Sequence, residues 1–351
     1  MRKAMTRPII ASLAAFGLFA CSATIPADTN GTLPDPVPVA DKGTEPTRSP
    51  LSGAAILFYN VENLYDTEDD PTIDDKDFLP SSEMHWTKER FNTKLENLAE
   101  AISMSGAELP VLVGMAEVEN KAVVSALAGH RRLAKANYDV VHFDSPDERG
   151  IDVALMYSED RFDLVHSEAL NVPLPEDDRT RDILHAELKA GAVVYHIFVN
   201  HWPSRREGKE KSEHKRMAAA EVLKKSIAGI QTGPDVHIVI MGDLNDWPTD
   251  RSVQEGLGAG CDKKGKGLVD LMCVDENEGS GSYVHDGKWQ FLDQFIVDAA
   301  LTKEIASASA LRDERLLFNH PKYGPSPNKT YSGGHYKGGY SDHLPIVLRF
   351  K

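Results

Sequence analysis

Chemically capable side chains recur at the ends of short apolar segments in this chain of 351 residues. Apolar runs of this length indicate strands that are buried on both faces. Groups at the ends of neighbouring strands converge on one edge of a sheet, where ligands commonly bind. The residues in question are Asn60 after 54–59, Glu117 after 110–116, His201 after 193–199 and Asp243 after 236–242, together with Asn245, Asp293, Asp342 and His343.

The types of these side chains indicate the chemistry. Carboxylate and amide oxygens without thiolates suit a hard divalent cation such as Mg²⁺, with Mn²⁺ as an alternative. Two histidines supply general acid and electrostatic roles, and a carboxylate beside an amide can deprotonate and position a water. Hydrolysis of a phosphate ester needs this set, because it must neutralise phosphate oxygens, activate water and stabilise the leaving oxygen.

The elements that position these groups alternate between strands and helices. Helical patterns cover 87–104, where Thr87 starts the helix, and 212–230. Alternation of this kind predicts an α/β layered architecture, with a parallel sheet as the default.

Residues 1–20 are predicted to be a signal peptide, because a basic start precedes an apolar run that is too short to span a membrane. The run ends in Leu18-Phe19-Ala20-Cys21, which resembles the lipobox of bacterial lipoproteins, where the cysteine is lipidated. An ordinary secretory signal with a chance cysteine is the alternative. Either way we expect an extracytoplasmic protein, anchored to a membrane through Cys21 in the first case.

Residues 21–52 are predicted to be a tether that begins with lipidated Cys21, since six prolines interrupt a stretch of small and polar residues. The remaining segment, 53–351, is near the upper size limit of a single hydrophobic core and is predicted to be the functional domain. Cys261 and Cys273 either form a disulfide in an oxidising compartment or remain two free thiols.

The composition excludes several classes of protein. Charged residues make up 26% and hydrophobic residues 41% of the chain, as in soluble globular proteins, which excludes collagen-like, disordered and multi-span membrane chains. The net charge of −15 excludes a basic surface across the whole domain. Nucleic acid binding would therefore need a local basic patch or a metal.

The ordered set of motifs resembles the endonuclease/exonuclease/phosphatase superfamily, which includes pancreatic deoxyribonuclease, apurinic endonucleases, inositol polyphosphate phosphatases and bacterial sphingomyelinases. The resemblance covers residues 54 to 350 and implies a four-layer α/β sandwich with two central, mostly antiparallel sheets, in place of the parallel default. The matching segments are Phe58–Asn63, Ala116–Asn120, Asn200–Ser204, Gly242–Asp246, Leu292–Ile296 and Ser341–Pro345.

The resemblance also implies the metal ligands. Glu117, with Asn60 nearby, would hold the metal. Asp342 would either contribute to a second metal position or orient His343. The acidic stretch 66–77 is interpreted as a solvated loop, with a structural Ca²⁺ site as the alternative.

The catalytic roles follow from the same resemblance. Asp243 would orient or deprotonate the attacking water, and Asn245 would contact the scissile phosphate or the metal. His201 and His343 would bind phosphate oxygens and assist the leaving group. Asp293 would buttress His201, because an acidic partner on the far ring nitrogen fixes the tautomer.

One departure from the pattern of the superfamily concerns phosphate binding, because Glu119 occupies the position where the nucleases often carry an arginine. Guanidinium groups elsewhere are candidates for that contact. Arg205 and Arg206 open a basic segment at 205–216, which we interpret either as a contact to flanking phosphates or as a solvated helix start. The candidates are Arg149, Arg179, Arg181, Arg205 and Arg206.

We therefore expect a metal-dependent phosphodiesterase that acts on nucleic acid as a monomer, without an obligate protein partner. A phosphatase or phospholipase C-like enzyme acting on lipid head groups or small phosphate esters is the first alternative. A surface binding protein on a catalytically dead scaffold is the second.

Overall fold

The computed structural model describes residues 49–262, 267–273 and 279–351. The predicted signal peptide, Cys21 and nearly all of the tether lie outside the described residues. The strands are β1 (Ala55–Leu64), β2 (Leu112–Val118), β3 (Tyr138–His142), β4 (Asp152–Ser158), β5 (Asp163–Leu170), β6 (Ile183–Ala190), β7 (Val193–His201), β8 (Val236–Asp243), β9 (Ala259–Gly260), β10 (Leu268–Asp270), β11 (Tyr283–His285), β12 (Lys288–Gln290), β13 (Asp293–Asp298), β14 (Ile305–Ala310), β15 (Leu317–His320), β16 (Gly324–Pro327), β17 (Tyr331–Ser332), β18 (His335–Tyr336) and β19 (Ile346–Phe350).

Two large mixed sheets form the centre of the molecule. The six-stranded sheet has the order β14-β19-β1-β2-β4-β3, in which the β1–β2 pair is parallel and the other pairs are antiparallel. The seven-stranded sheet has the order β5-β6-β7-β8-β13-β10-β9, with parallel pairing at β7–β8 and β10–β9. The expected pair of mostly antiparallel sheets is confirmed.

The default prediction of a parallel sheet was wrong, because several consecutive strands are joined without an intervening helix. Ala190 pairs with Val193, so β6 turns directly into β7. Gly191 supplies the left-handed conformation (φ 62°) that this two-residue hairpin requires.

The inner faces of the two sheets pack against each other and bury one continuous apolar core. This core joins Phe58 and Leu155 of the first sheet to Ile197 and Met241 of the second. A Cβ at Gly114 would collide with the side chain of Met241, so glycine allows the sheets to approach closely there.

Helices cover both outer faces and complete four layers. Helices α1 (Lys88–Ser103) and α2 (Lys121–Ala128) pack on the six-stranded sheet, and α3 (Lys209–Ile227) packs on the seven-stranded sheet beside a π-helical turn at Ser252–Leu257. Short 3₁₀ turns lie at Lys76–Phe78, Ala134–Ala136, Pro175–Asp177, Leu301–Glu304 and Glu314–Leu316.

The helix predictions are confirmed within three residues at either end. Thr87 is the N-cap of α1, and its side chain accepts a hydrogen bond from the backbone N–H of Arg90. Helix α3 begins three residues before the predicted start, and Gly208 precedes it without a side-chain cap.

Cys261 and Cys273 form a disulfide, which decides between the two alternatives that the sequence left open. Within the described ranges, no helix is both long enough and apolar enough to span a membrane.

Candidate active site

Three predicted site residues lie side by side across three neighbouring strands of the seven-stranded sheet. His201 at the end of β7 is in register with Asp243 at the end of β8, and Asp243 is in register with Asp293 at the start of β13. All three are buried. Gly242 permits this arrangement, because a Cβ there would collide with the backbone of Asn200.

The six-stranded sheet contributes Asn60 and Glu117, which lie within β1 and β2 rather than after them. The amide of Asn60 donates to Oδ2 of Asp243 at 3.1 Å and to Oε1 of Glu117 at 3.4 Å, and so connects the two sheets. Glu117 interrupts the pairing of β2 at a bulge, where it adopts a left-handed backbone conformation (φ 66°). This conformation is costly for a residue other than glycine and is typical of functional sites.

His343 enters from the segment that precedes β19. The hydroxyl of Ser341 donates to the carbonyl of Asn60 and accepts from the backbone N–H of His343, which fixes the segment against β1. Nδ1 of His343 lies 2.7 Å from Oδ2 of Asp293. The expected pairing of Asp293 with His201 is therefore wrong, because the register of β13 places Asp293 beside His343.

The two histidines are held in opposite charge states. Burial, with the charges of Arg181 and Arg149, lowers the pKa of His201 well below its usual value. Burial would also lower the pKa of His343, but Asp293, by its charge and its hydrogen bond, and the charges of Asp243 and Asp342 hold it well above its usual value. The site thus contains a neutral and a cationic imidazole, which suits different acid–base roles.

Asp243 lies between these histidines. Its Oδ2 is 3.8 Å from Nε2 of His201 and 3.7 Å from Nε2 of His343. Burial raises its pKa to about 6, although the charge of His343 opposes this. The backbone N–H of Asn245 donates to Oδ1 of Asp243, and the amide of Asn245 donates to the carbonyl of Trp202, so Asn245 is fixed beside the carboxylate.

The residues present fit a divalent cation. Glu117 offers a half-buried carboxylate 3.9 Å from His201, and one oxygen of Asp293 is buried without a hydrogen-bond partner among the described residues. Asp342 adds a second carboxylate, and burial together with the negative charge of Glu117 raises the pKa of this group. Oxygen donors from Glu117, Asn60 and Asp342 match the preference of Mg²⁺ and Mn²⁺.

Arg181 and Arg149 lie on the side of His201. The buried guanidinium of Arg181 pairs with Asp147 at 3.0 Å and donates to the carbonyls of His201 and Trp202. It therefore holds the strand end rather than facing solvent. Arg149, which is 35% exposed, pairs with the same aspartate at 3.4 Å and keeps access to an incoming anion.

The basic segment after His201 is largely neutralised within the fold. Arg205 pairs with Asp246 and Asp250 and also donates to the carbonyl of Asn245. This geometry does not support the prediction that Arg205 contacts flanking phosphates. Arg206, in contrast, is exposed, and its charge is one of those that lower the pKa of His201. The other internal pairs of the segment are Lys209 with Asp250, Lys215 with Asp178 and Glu207, and Arg216 with Asp246.

Tyr283 at the start of β11 is a site residue that sequence reasoning missed. Its ring centroid lies 4.7 Å from that of His343, and the two residues form a β-bridge. Burial raises the pKa of its hydroxyl to about 12, and the charges of Asp342 and Asp243 contribute. No apolar run ends at Tyr283, so the strand-end pattern could not find it.

A buried polar network that the sequence did not reveal holds the segment leading to Asp342. Glu62 accepts hydrogen bonds from the backbone N–H groups of Thr330 and Tyr331. Lys94 of α1, which is 1% exposed, donates to the hydroxyl of Thr330 and the carbonyl of Tyr340. Burial lowers the pKa of Lys94 to about 8. The sequence feature that could have revealed this network was a lysine on the apolar face of α1.

The acidic stretch 66–77 forms local turns. The carboxylate of Asp70 accepts from the backbone N–H and the hydroxyl of Thr72, and Asp75 accepts from the backbone N–H of Asp70. Calcium binding there stays a prediction. Arg179 is exposed and stays an untested candidate for phosphate binding.

The fold is similar to those of several solved phosphoesterases. TDP2 from D. rerio, complexed with a single-strand DNA product, is 16% identical, and the match covers 85% of this chain and 98% of that chain with a TM-score of 0.52. The mannosyl-6-phosphatase from Bacteroides thetaiotaomicron is 15% identical, over 85% of this chain and 99% of that chain, also with a TM-score of 0.52. Truncated TDP2 from Caenorhabditis elegans is 15% identical, over 86% and 99% of the two chains, with a TM-score of 0.51.

No curated protein matches the sequence. The model of the endonuclease/exonuclease/phosphatase family matches residues 55–351, which include every active-site residue described above. The chain belongs to the endonuclease/exonuclease/phosphatase family and is a divalent-metal-dependent phosphoesterase.

Proposed function

We propose that the protein is a phosphodiesterase that cleaves nucleic acid outside the cytoplasm. The observation that carries the proposal is that Nε2 of His201 and Nε2 of His343 both lie within 4 Å of Oδ2 of Asp243. The oxygen donors of Glu117 and Asn60 lie beside these groups. Water activation, leaving-group protonation and charge neutralisation can all occur in one place there.

The residues divide the reaction between them. Asp243 orients the attacking water and accepts its proton. His343, kept cationic by Asp293, donates a hydrogen bond to a phosphate oxygen and assists the leaving oxygen. His201, which is neutral, donates a hydrogen bond to a second phosphate oxygen. A bound Mg²⁺ ion, held by Glu117 and Asn60, would neutralise charge on the phosphate.

Substrate contacts beyond the scissile phosphate would come mainly from Arg149 and Arg206. A continuous basic surface for a long polyanion finds little support, because Arg205, Lys209 and Lys215 are paired with carboxylates of the fold. We therefore favour short or single-stranded substrates that are bound through contacts close to the scissile phosphate. The same observation supports a second candidate function, which is the hydrolysis of a small phosphate ester that has no flanking phosphates.

A location outside the cytoplasm is supported by the basic and apolar residues 1–20, by Cys21 at their end and by the disulfide between Cys261 and Cys273. Labelling of expressing bacteria with a clickable fatty acid tests the anchor. The wild-type chain should be labelled and sediment with membranes, and Cys21→Ser should abolish both. Labelling that persists in Cys21→Ser would refute lipidation at that residue.

A panel of substrates tests the proposed reaction. The full chain is incubated with single-stranded DNA, duplex DNA, RNA, bis-p-nitrophenyl phosphate and p-nitrophenyl phosphate, with Mg²⁺ or EDTA. We expect Mg²⁺-dependent cleavage of single strands and of the small diester. Preference for the monoester, with nucleic acids left intact, would reject the nuclease proposal and favour the second candidate. Asp286→Asn, at an exposed carboxylate, is the matched control for each active-site variant.

A further inference from the structure

A second cluster of metal-ligating side chains lies on the outer face of the six-stranded sheet. One nitrogen of His142 and one carboxylate oxygen each of Asp144 and Asp152 lie within 4.8 Å of one another. His142 ends β3 in register with Ala154, and Asp152 begins β4. Residues two apart in a strand share a face, and Ala154 packs in the core that this sheet forms with α1 and α2. The cluster therefore lies on the side of the sheet that faces away from the seven-stranded sheet.

The ring of His142 is buried with one nitrogen left without a hydrogen bond. Its side chain is 3% exposed, and Nε2 has no hydrogen-bond partner among the described residues. Oδ2 of Asp152 lies 3.0 Å from Nε2, but the two groups are not aligned for a hydrogen bond. Asp152 is equally buried, and its other oxygen accepts from the backbone N–H of Ser145. Burial of two ionisable groups without a hydrogen bond between them is costly, and a shared cation would offset that cost.

The positions of these two atoms match those of two ligands of one ion. With metal–ligand bonds of about 2.0–2.2 Å, two ligand atoms of a tetrahedral zinc ion lie about 3.3 Å apart. The carboxylate oxygen then lies to one side of the nitrogen's lone-pair axis, because the ion occupies that axis. The contact between His142 and Asp152, which is short and out of line, therefore needs little movement to admit an ion.

Asp144 supplies a third ligand from the exposed side of the cluster. Its Oδ1 lies 3.8 Å from Nδ1 of His142, and its side chain is 90% exposed, so the carboxylate is free to turn toward an ion. If the register of His142 with Ala154 is continued by two residues, Asp144 stands opposite Asp152. Like charges that face each other across two strands are destabilising, which a bound cation would reverse.

We propose that Nε2 of His142 and the carboxylates of Asp152 and Asp144 bind a divalent transition metal such as Zn²⁺, with water as the fourth ligand. One imidazole with carboxylate oxygens suits Zn²⁺, whereas Mg²⁺ prefers oxygen donors alone. The site therefore differs from the oxygen-rich active site in the ion that it selects.

The bound ion would also close the base of a loop that reaches the active site. Asp144 and Asp152 bound the segment 145–151, which carries Arg149. The charge of Arg149 acts on His201, so this loop lies beside the catalytic residues. The proposed ion thus has a structural role, because it joins the two ends of the loop without contacting the substrate.

Calorimetric titration of the metal-free full chain with Zn²⁺ in excess Mg²⁺ tests the proposal. The double variant Glu117→Gln/Asp243→Asn serves as the background, because it removes two carboxylates of the active site. We expect one zinc equivalent to persist in this background. Asp144→Asn added to it should weaken the zinc affinity at least about tenfold, since even residues outside a ligand set commonly contribute that much.

A second pair of side chains provides the matched control. Asp286 is 91% exposed and lies 3.6 Å from His285, so Asp286→Asn makes the same change beside a histidine that is not buried. This control should leave the zinc affinity of the background unchanged.

Folding of each variant is checked by its thermal unfolding without zinc. Asp144→Asn should keep the midpoint of the background, because its side chain is exposed. Added zinc should raise the midpoint of the background and raise that of Asp144→Asn less. Absence of a zinc equivalent in the folded background, or an affinity that Asp144→Asn leaves unchanged, would overturn the proposal. His142 and Asp152 would then be a buried ion pair.

Discussion

Nδ1 of His343 and Oδ2 of Asp293 lie 2.7 Å apart, although 50 positions separate the two residues in the sequence. Asp293 belongs to the seven-stranded sheet, and His343 precedes a strand of the six-stranded sheet. The hydrogen bond therefore ties together the two halves of the sandwich at the site. It also orients the imidazole and holds its pKa above the usual value, so that His343 is cationic at neutral pH.

Asp293→Asn should remove this orientation and charge while preserving side-chain volume. We expect kcat for the small diester to fall by about 10²–10⁴, the usual contribution of a positioned acid or base. The double variant with His343→Ala should be little slower than His343→Ala alone, since the residues act as a unit. Additive losses in the double variant would show that Asp293 acts independently of His343.

Arg205 and Arg206 should respond differently to replacement by alanine. Arg205→Ala breaks ion pairs with Asp246 and Asp250, so thermal stability should fall. Arg206→Ala should leave stability unchanged and raise KM for single-stranded DNA, with a log–log salt slope flatter by about 1. Hydrolysis of bis-p-nitrophenyl phosphate should barely change in Arg206→Ala. If both variants alter only stability, neither arginine binds substrate.

Lys94→Met should destabilise the protein, because it leaves Glu62 without its buried cation and removes two hydrogen bonds from the segment that carries Asp342. We expect a loss of about 3 kcal/mol in the free energy of unfolding, measured with urea. Glu62→Gln in the same chain should recover part of that loss. Equal losses in the single and double variants would mean that the charges are not coupled.

Asp270 should make stability depend on pH. Burial raises the pKa of its carboxyl to about 7, and one of its oxygens has no hydrogen-bond partner among the described residues. The folded protein holds this proton at pH values where the unfolded chain, with a pKa of about 3.9, has lost it. The contribution of Asp270 to the free energy of unfolding therefore falls as pH rises from about 4 to about 7.

Asp270→Asn should abolish that contribution, because the amide cannot ionise. At pH 8 the variant should be more stable than the wild type by about 1–3 kcal/mol, and at pH 4 the difference should vanish or reverse. Urea unfolding at both pH values measures it, with Asp286→Asn as an exposed control. The same difference between variant and wild type at both pH values would contradict the assignment.

Sequence reasoning located Asn60, Glu117, His201 and Asp243 because buried strands leave a clear apolar pattern that ends at each of them. It could not assign Asp293 to the correct histidine, because that pairing depends on the register of β13 against β8. The left-handed conformation of Glu117 was equally invisible, since a bulge is set by pairing between strands.

Surface charge was the least predictable property. The cations after His201 formed a basic segment in the sequence, but the carboxylate partners of Arg205 come from positions 246 and 250, more than 40 residues away. The burial of Lys94 likewise depends on a loop about 240 positions later. Such long-range pairs leave no local signal in the sequence.

Hydrolysis of bis-p-nitrophenyl phosphate by the full chain tests the central claim most directly, because this small diester needs only the catalytic residues. The rate is measured with Mg²⁺ and with EDTA, for the wild type and for Asp243→Asn. We predict hydrolysis that requires Mg²⁺ and falls by about 10²–10⁴ in Asp243→Asn. Undiminished hydrolysis in EDTA, or an Asp243→Asn rate above about a tenth of the wild-type rate, would contradict the account.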